Sequence, residues 1–334
     1  MPGARPRSPY IGAALPRRSV LLGACLALPA LARAQEAWPQ RAVSLVVPFA
    51  PGGPVDNAAR PLAEGLRRRL GQPVVIENRA GGGGVIGTRA VTQARPDGYT
   101  MLVGSSGPLI IAPAASADGV DPLQGLVPIA LISDSPQVLV VSNALPATTL
   151  EAFIALARSR PGELNLGSAG IGTTPHLAME LLGKLAGVRF EHVPYRGTGA
   201  ALPDVVAGKI DGLFGDISAV LPLVETGRLR ALCVTGLERS SLAPSIPAAG
   251  ELGYPALLVR NWQALLAPAG TPEAVILRAA EGVNEALEDP AVRAALARQG
   301  ATPGGGGPAR LTAFLREERT TWDPIVRSLN LVLQ

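Results

Sequence analysis

Two stretches of this sequence are suited to hold an anion although neither contains a lysine or an arginine. PFAPGGPVD (48–56) and GSAGIGTTPH (167–176) each carry the chain from an apolar run, through Gly and Pro, into a helix-like repeat. The first N–H groups of a helix have no intrahelical partner and concentrate about half a positive elementary charge. Glycine beside them lets bare backbone approach a ligand and lets successive amides converge on it. A single Gly-rich turn is often a plain connector. Two of them, one in each half of the chain, suit a small anion clamped between them.

The side chains around these turns admit more than one role. Asp56 either ties down its own loop, as an N-cap-like acceptor, or touches a ligand, and a bare carboxylate would repel an anion. His176, just inside a helix pattern, is a ligand contact, a helix-start residue or a general base. His192 in FEHVPY reads as a strand residue whose ring is satisfied locally. Asp216 in LFGD orients a donor at the opposite lip or caps the helix that follows. Cys233 in RLRALCVTG reads as a buried small hydrophobe. Catalysis finds little support, because no G-x-S-x-G elbow occurs. The two histidines lie 16 positions apart, with no HExxH or CxxC, so no metal is expected. GSAGIG has the wrong order for a dinucleotide turn, the match at 82–87 sits inside a glycine run, and no P-loop lysine follows. No cofactor is expected.

The elements that must position these turns alternate. AVSLVVPF (42–49) reads as a buried strand, and Val55, Ala58, Ala59, Leu62, Ala63, Leu66 and Leu70 recur at helical spacing up to Gly71. PVVIENR (73–79) predicts a second strand, 81–84 a flexible turn, VIGTRAVTQA (85–94) a helix and YTMLVGSS (99–106) a third strand. The plan repeats with a strand at QVLVVS (137–142), a helix at 149–160 opened by Thr149, and a strand, Gly-rich turn and helix over 163–187. Further on, 257–268 predicts a strand, 272–287 and 311–329 helices, and 304–307 a loop. Pro61 conflicts with the first helix because it removes an N–H: the helix starts late, near Asn57, or kinks. Strands alternating with helices predict an α/β fold with mostly parallel sheets.

Composition separates the first 34 residues from the rest. They hold Arg5, Arg7, Arg17, Arg18 and Arg33, no acidic residue, an apolar run over 20–31, and Ala32-Arg33-Ala34 as an A-x-A exit. The pattern is that of a signal peptide cleaved after Ala34, and PRRSVLLGA resembles a twin-arginine signal, with a Sec route also open. The run is too short to span a membrane. The whole chain carries +4, so removing five arginines leaves −1 and no clustered basic face for nucleic acid. The remaining 300 or so residues exceed what one core serves, which predicts two domains. One cysteine is left, so packing must stabilise the exported chain without an internal disulfide.

From Trp38 onward the chain resembles the substrate receptors of tripartite tricarboxylate transporters, the Bug family of exported bacterial solute-binding proteins. WPQRAVSLVVPFAPGGPVDNAAR, GQPVVIENRAGGGGVIGTRAV, RPDGYTMLVGSSG, GSAGIGTTPHLAMELL, VPYRGTGAALPDVVAGKIDGLFGD, GRLRALCVTGLERS and NWQALLAPAGTP carry the resemblance, in the family's order. It implies a two-domain, hinged, periplasmic-binding-protein-like α/β fold, each domain a mostly parallel sheet flanked by helices. Domain 1 would comprise 38–134 plus 262–334 and domain 2 residues 135–261, with crossings at 133–137 and 259–263. The resemblance implies a carboxylate held by backbone amides of two facing loops. Its contacts would be Phe49, Ala50, Gly52, Gly53 and Asp56, then Ser168, Ala169, Gly170, Gly172, Thr173 and His176. Ser105 and Ser106 would join them at the end of a third strand, and Tyr195 and Asp216 from the second domain. The expected protein is a periplasmic monomer, not an enzyme, whose partners are a small organic carboxylate and the membrane permease subunits. Pro54, Gly199 and Gly215 depart from the family's small polar residue, proline and acidic residue at those places. The alternatives are a ligand-sensing partner of a membrane signalling receptor and an exported α/β enzyme acting on an anionic substrate.

Overall fold

Strand β1 (Val43–Val47) is apolar at nearly every position because the sheet is covered on both faces, and Pro48 ends it. Gly and Pro then turn the chain into α1 (Pro54–Leu70), β2 (Val74–Asn78), α2 (Val85–Thr92), β3 (Thr100–Ser105) and the short α3 (Ala112–Ala115). Next come β4 (Leu126–Ser142), α4 (Leu150–Ser159), β5 (Asn165–Ser168), α5 (Thr174–Ala186), β6 (Glu191–Pro194) and α6 (Thr198–Val206). The chain closes with β7 (Gly212–Asp216), α7 (Ile217–Glu225), β8 (Leu229–Val234), β9 (Arg260–Pro268), α8 (Glu273–Glu288), α9 (Pro290–Ala297), β10 (Thr302–Gly305) and α10 (Pro308–Ser328). This computed structural model describes residues 38–115, 121–195 and 197–328, together with Gly3. The expected leader otherwise lies outside the described residues. Trp38–Gln334 forms one compact unit.

The strands lie in the order β2-β1-β3-β9-β4-β7-β5-β6, with β8 and β10 also paired to β4. The fold is mixed α/β. Two parallel trios, β2-β1-β3 and β6-β5-β7, flank an antiparallel centre made by β4 and β9. Residues 126–136 of β4 pair with β9, and 137–141 pair with β7, so the strand changes partners at Pro136 and Gln137. The sequence pattern placed a strand only at 137–142. It missed 126–136 because Pro128, Pro136 and the Asp134-Ser135 pair read as turn residues. Register shifts between Pro128 and Ala130 and between Leu131 and Ser133 absorb them. The loop predicted over 304–307 is also corrected, since Gly304 and Gly305 belong to β10 and pair antiparallel with β4.

Pro61 neither delays α1 nor ends it: the helix begins at Pro54 and runs through to Leu70. The carbonyl that Pro61 leaves without a donor is that of Asn57, and the Gln299 side chain donates to it at 2.9 Å. Gly71 closes α1 at φ 69°, its N–H bonded to the Arg67 carbonyl. On the inner face Val55, Ala58, Ala59, Leu62, Ala63 and Leu66 pack with Ile276, Ala279, Val283 and Leu287 of α8. Cys233 is buried in β8, and burial pushes its thiol up to about 12. At the crossing, Trp262 Nε1 donates to Glu318 of α10 at 2.6 Å, and Arg260 bonds Asp134 and lies over the Phe314 ring. Burial raises both the Glu318 and Asp134 carboxyls above the usual range, against the opposing pull of Trp262 and Arg260 on the first and of Arg260 on the second.

Gly65 of α1 lies tight against α8 and α9: a Cβ there would stand 2.7 Å from Ala286 Cβ and 3.2 Å from Val292 Cγ2. Gly65→Val should therefore destabilise the fold by about 1–3 kcal/mol. Urea unfolding checks this; stability equal to the wild type would contradict the packing.

Candidate functional site

Because β2, β1 and β3 are parallel, their carboxyl ends open on one edge of the sheet, where ligands of such folds collect. Three loops meet there. A Cβ on Gly84, after β2, would lie 3.0 Å from Phe49 Cζ, after β1, and 3.1 Å from Pro108 Cγ, after β3. Asp56, 1% exposed, organises the first loop from below. It accepts from the Gly52 N–H at 2.9 Å, from Asn78 Nδ2 at 2.9 Å, and from Arg60 Nε and Nη2 at 2.7 and 2.9 Å. Asn78 also donates to the Phe49 carbonyl at 3.0 Å. Burial alone would raise the Asp56 carboxyl, but the bonds from Arg60, Gly52 and Asn78 outweigh it and hold the group below its ordinary range. Of the roles open to Asp56, tying its own loop is the one the structure shows.

That tie decides which amides stay free. The Gly52 N–H turns inward, with Gly52 at φ 83°, whereas Gly53 sits at φ −78° and opens α1 without any side-chain cap. The N–H groups of Gly53, Val55 and Asp56 make no hydrogen bond to the described residues. Pro54 occupies the first helical position, where a missing N–H costs nothing.

The second trio repeats the arrangement. Ser168 ends β5, Tyr195 follows β6, and Asp216 ends β7. Ser168 Oγ bonds the Gly170 N–H at 3.0 Å and His192 Nε2 at 2.6 Å. The Gly172 N–H donates to His176 Nδ1 at 3.1 Å, and Thr173 Oγ1 donates to the Gly170 carbonyl at 2.7 Å. Ala169 anchors the next loop through its carbonyl, which accepts the Gly197 N–H at 3.1 Å. The N–H groups of Ala169, Ile171, Thr174 and His176 make no hydrogen bond to the described residues. Tyr195 spends its hydroxyl on Asp204 of α6, at 2.9 Å. His192 is satisfied by Ser168, and its ring stacks on that of His176 with centroids 3.9 Å apart. Burial and the neighbouring His192 lower His176 to about 4; burial also lowers His192.

The two clusters touch. Ser106 Oγ, after β3, lies 3.3 Å from Thr174 Oγ1 at the start of α5. Ser105 pairs in register with Gln263 of β9, whose Oε1 accepts from Ser133 at 2.7 Å. Asp216 does not cap α7 with its side chain. Instead its Oδ1 accepts from Gln137 of β4 at 2.8 Å and Asn261 of β9 at 2.9 Å. Among the described residues, no three His, Cys, Asp or Glu side chains are grouped to hold a metal. Cavities of about 650 and 290 Å³ lie elsewhere, the first between α4, α5 and α10 and the second beside β10. The site is therefore defined by the meeting of loops rather than by either of these hollows.

The residues that the sequence reading missed are the second members of these ties: Arg60, Asn78, Gln137, Thr174 and Asn261. Gln137 and Asn261 fall inside the segments read as crossings, but nothing in the sequence pointed either of them at Asp216.

Comparisons with known proteins give the family. The profile of the tripartite tricarboxylate transporter family receptor matches residues 58–331. The chain belongs to that family. BugT of Bordetella pertussis is 38% identical over 305 residues, covering 90% of this chain and 92% of that protein. Among solved structures, the periplasmic binding protein BugD superposes with a TM-score of 0.75 at 31% identity, over 89% of this receptor and all of BugD. MatC from Rhodopseudomonas palustris with bound malate gives 0.75 at 34% identity, over 86% and 100% of the two chains. Rpa4515 from the same organism, with adipate, gives 0.75 at 32%, over 88% and 99%. The receptor is thus a Bug-type solute-binding protein with the fold of the periplasmic receptors, and the family is one of receptors rather than enzymes. No helix among its described residues is long and apolar enough to cross a membrane.

Asp56→Ala strands the Arg60, Asn78 and Gly52 donors and should cost about 2 kcal/mol, the scale of hydrogen bonds to a charged group. Since the folded carboxyl is depressed, wild-type Asp56 stabilises the fold above its ordinary value of 3.8 and loses that contribution as pH falls below it. Denaturant unfolding at pH 7 and pH 3 checks both: the variant deficit should shrink at the lower pH.

Proposed function

We propose that this receptor works in the periplasm, captures a small organic carboxylate between its two parallel trios, and delivers it to the membrane permease of a tripartite transporter. The observation that carries the reading is the contact of Ser106 with Thr174, which joins the loop after β3 to the second loop, while the helix starts on either side leave amides unpartnered. Neither turn contains a cation, so neutral dipoles rather than charge pairing would hold the carboxylate. The malate in MatC and the adipate in Rpa4515 support a small carboxylate as the ligand class. The contacts would come from the free amides of Gly53, Val55 and Asp56 and of Ala169, Ile171 and Thr174. Phe49, Ala50, Ser105 and Ser106 would line the pocket, with Asp216 at its far lip.

Capture and release would need the halves to move about the crossing strands. Residues 38–134 with 262–334 would form one domain and 135–261 the other, the chain bending at 133–137 and 259–263. Ser133, Gln137, Asn261 and Gln263 make a side-chain network there with Asp216, drawn from β4, β9 and β7.

Thermal unfolding of residues 35–334 against malate, adipate, other mono-, di- and tricarboxylates, amino acids and aromatic acids tests the reading. A ligand at a hundred times its Kd adds about 2.7 kcal/mol, a shift of several degrees. A flat panel would overturn it. Gly53 has room for a side chain, since a Cβ there would meet only the Ala50 carbonyl, at 3.7 Å, and its φ strains no substituent. Gly53→Val should therefore leave the free protein folded, with its Tm lowered by no more than a few degrees through the poorer N-cap, while lowering affinity for the panel's best carboxylate at least tenfold, by crowding the amides. Unchanged affinity in calorimetric titration would remove the first loop from the site.

A further inference from the structure

The second loop is held by an unusual pair. His176, 4% exposed, lies beneath the loop on α5, and His192 comes up beside it from β6. Their rings are stacked, 3.9 Å apart and 15° from parallel. Each ring fixes a different part of the loop. His176 Nδ1 accepts the Gly172 N–H at 3.1 Å, while His192 Nε2 meets Ser168 Oγ at 2.6 Å, and that hydroxyl in turn holds the Gly170 N–H at 3.0 Å. The pairing of β6 with β5 and the core packing of Leu177, Ala178, Leu181 and Leu182 of α5 are made by other groups than the two rings.

We propose that His176 and His192 are positioning residues that shape the second loop for its ligand, and that the loop keeps this shape only while His176 is neutral. The inference rests on the reading of that loop as a carboxylate contact. The chemistry follows from the hydrogen-bond directions. A backbone N–H can only donate, so His176 Nδ1 must be unprotonated, and the neutral ring carries its proton on Nε2. A second proton would have to sit on Nδ1, facing the Gly172 N–H. The bond would be lost, and two donors would confront each other where the loop now turns at Gly172, φ 73°. Charging His192 as well would stack cation on cation.

The ionisable neighbours do not relieve this. Among the described residues, Glu180 faces His176 from the next turn of α5, with Oε1 3.7 Å from Nε2, and Glu191 adjoins His192 on β6. Burial raises the Glu180 carboxyl above its ordinary value, so it holds a negative charge beside the ring less readily than a free carboxylate would. Burial, reinforced by His192, sets His176 at about 4, well below its ordinary 6.5. A depressed folded value means that the loop's ordering is complete above about 6.5 and is withdrawn as pH falls toward 4. The pair would thus favour ligand release on acidification, with His176 acting through Gly172 rather than on the ligand.

The test uses nitrogen-15 NMR of the free receptor between pH 7.5 and 4, with His176→Gln and His176→Leu. Glutamine keeps an oxygen that can accept the Gly172 N–H and does not titrate; leucine keeps bulk but no acceptor. We expect the Nε2–H tautomer at His176 in the wild type and a midpoint near 4. The Gly172 amide should exchange at least tenfold faster in His176→Leu and within threefold of wild type in His176→Gln. Titrated with malate and adipate, His176→Leu should lose at least tenfold in affinity at pH 7.5. His176→Gln should bind normally and lack the component of acid weakening that the wild type adds to the ligand's own titration. A midpoint near 6.5, or a Gly172 amide indifferent to His176→Leu, would overturn the proposal. If the amide behaves as expected while neither acid nor the rest of the panel binds the wild type, the positioning stands and it is the carboxylate reading that fails.

Discussion

Everything near the site depends on one strand serving two sets of partners. β4 leaves β9 and takes up β7 at Pro136 and Gln137, and at that step Asp216 of β7 is hydrogen-bonded by Gln137 of β4 and by Asn261 of β9. One carboxylate thereby joins three strands. Were the three not in this register, Asp216 would be a half-buried charge with no partners, which is costly, so the interaction selects the register as well as stabilising it. The loops at the ends of β3 and β5 can meet only because β4 and β9 hold the two parallel trios in this relation. Trp262, Glu318 and Arg260 brace the same crossing from the α10 side.

None of the helices that start at the site carries a side-chain cap. α1, α5, α6 and α7 begin without one, as do α2 and α8, whereas α4 and α9 are capped by Thr149 and Asp289. Leaving orphan amides uncapped forgoes about 1 kcal/mol per helix, a cost that makes sense where a ligand is to supply the acceptor. Asp56 and His176 reconcile that openness with order. Each is the third residue of its helix and reaches back to a glycine N–H, Gly52 or Gly172, four residues earlier. The loop is tied through the amide that points inward, and those that point outward remain free.

How far this was legible in the sequence varies with the range of the interaction. Both Gly-rich turns, the helices they open, the cap at Thr149, the C-terminal stop at Gly71 and the buried state of Cys233 follow from local patterns of apolar residues, Gly and Pro. So does the α/β class, since period-2 and period-3.6 segments alternate along the chain. The family resemblance is written in the same stretches, and the profile match over 58–331 agrees with it.

Tertiary structure alone decided the rest, because each remaining choice depends on residues far apart in the chain. Residues 126–136 contain two prolines and a polar pair, and they form strand only because β9 and β10 lie ready on either side of them. Pro61 is tolerated where the Asn57 carbonyl finds Gln299, 242 positions away. His176 and His192, 16 positions apart, looked unrelated, yet parallel pairing of β5 with β6 brings His192 to Ser168 and stacks the rings. Sequence determines what a segment prefers within a turn or two of itself. Which carbonyl, carboxylate or ring will meet it across the sheet is set by strand order and register, and a one-dimensional pattern carries neither.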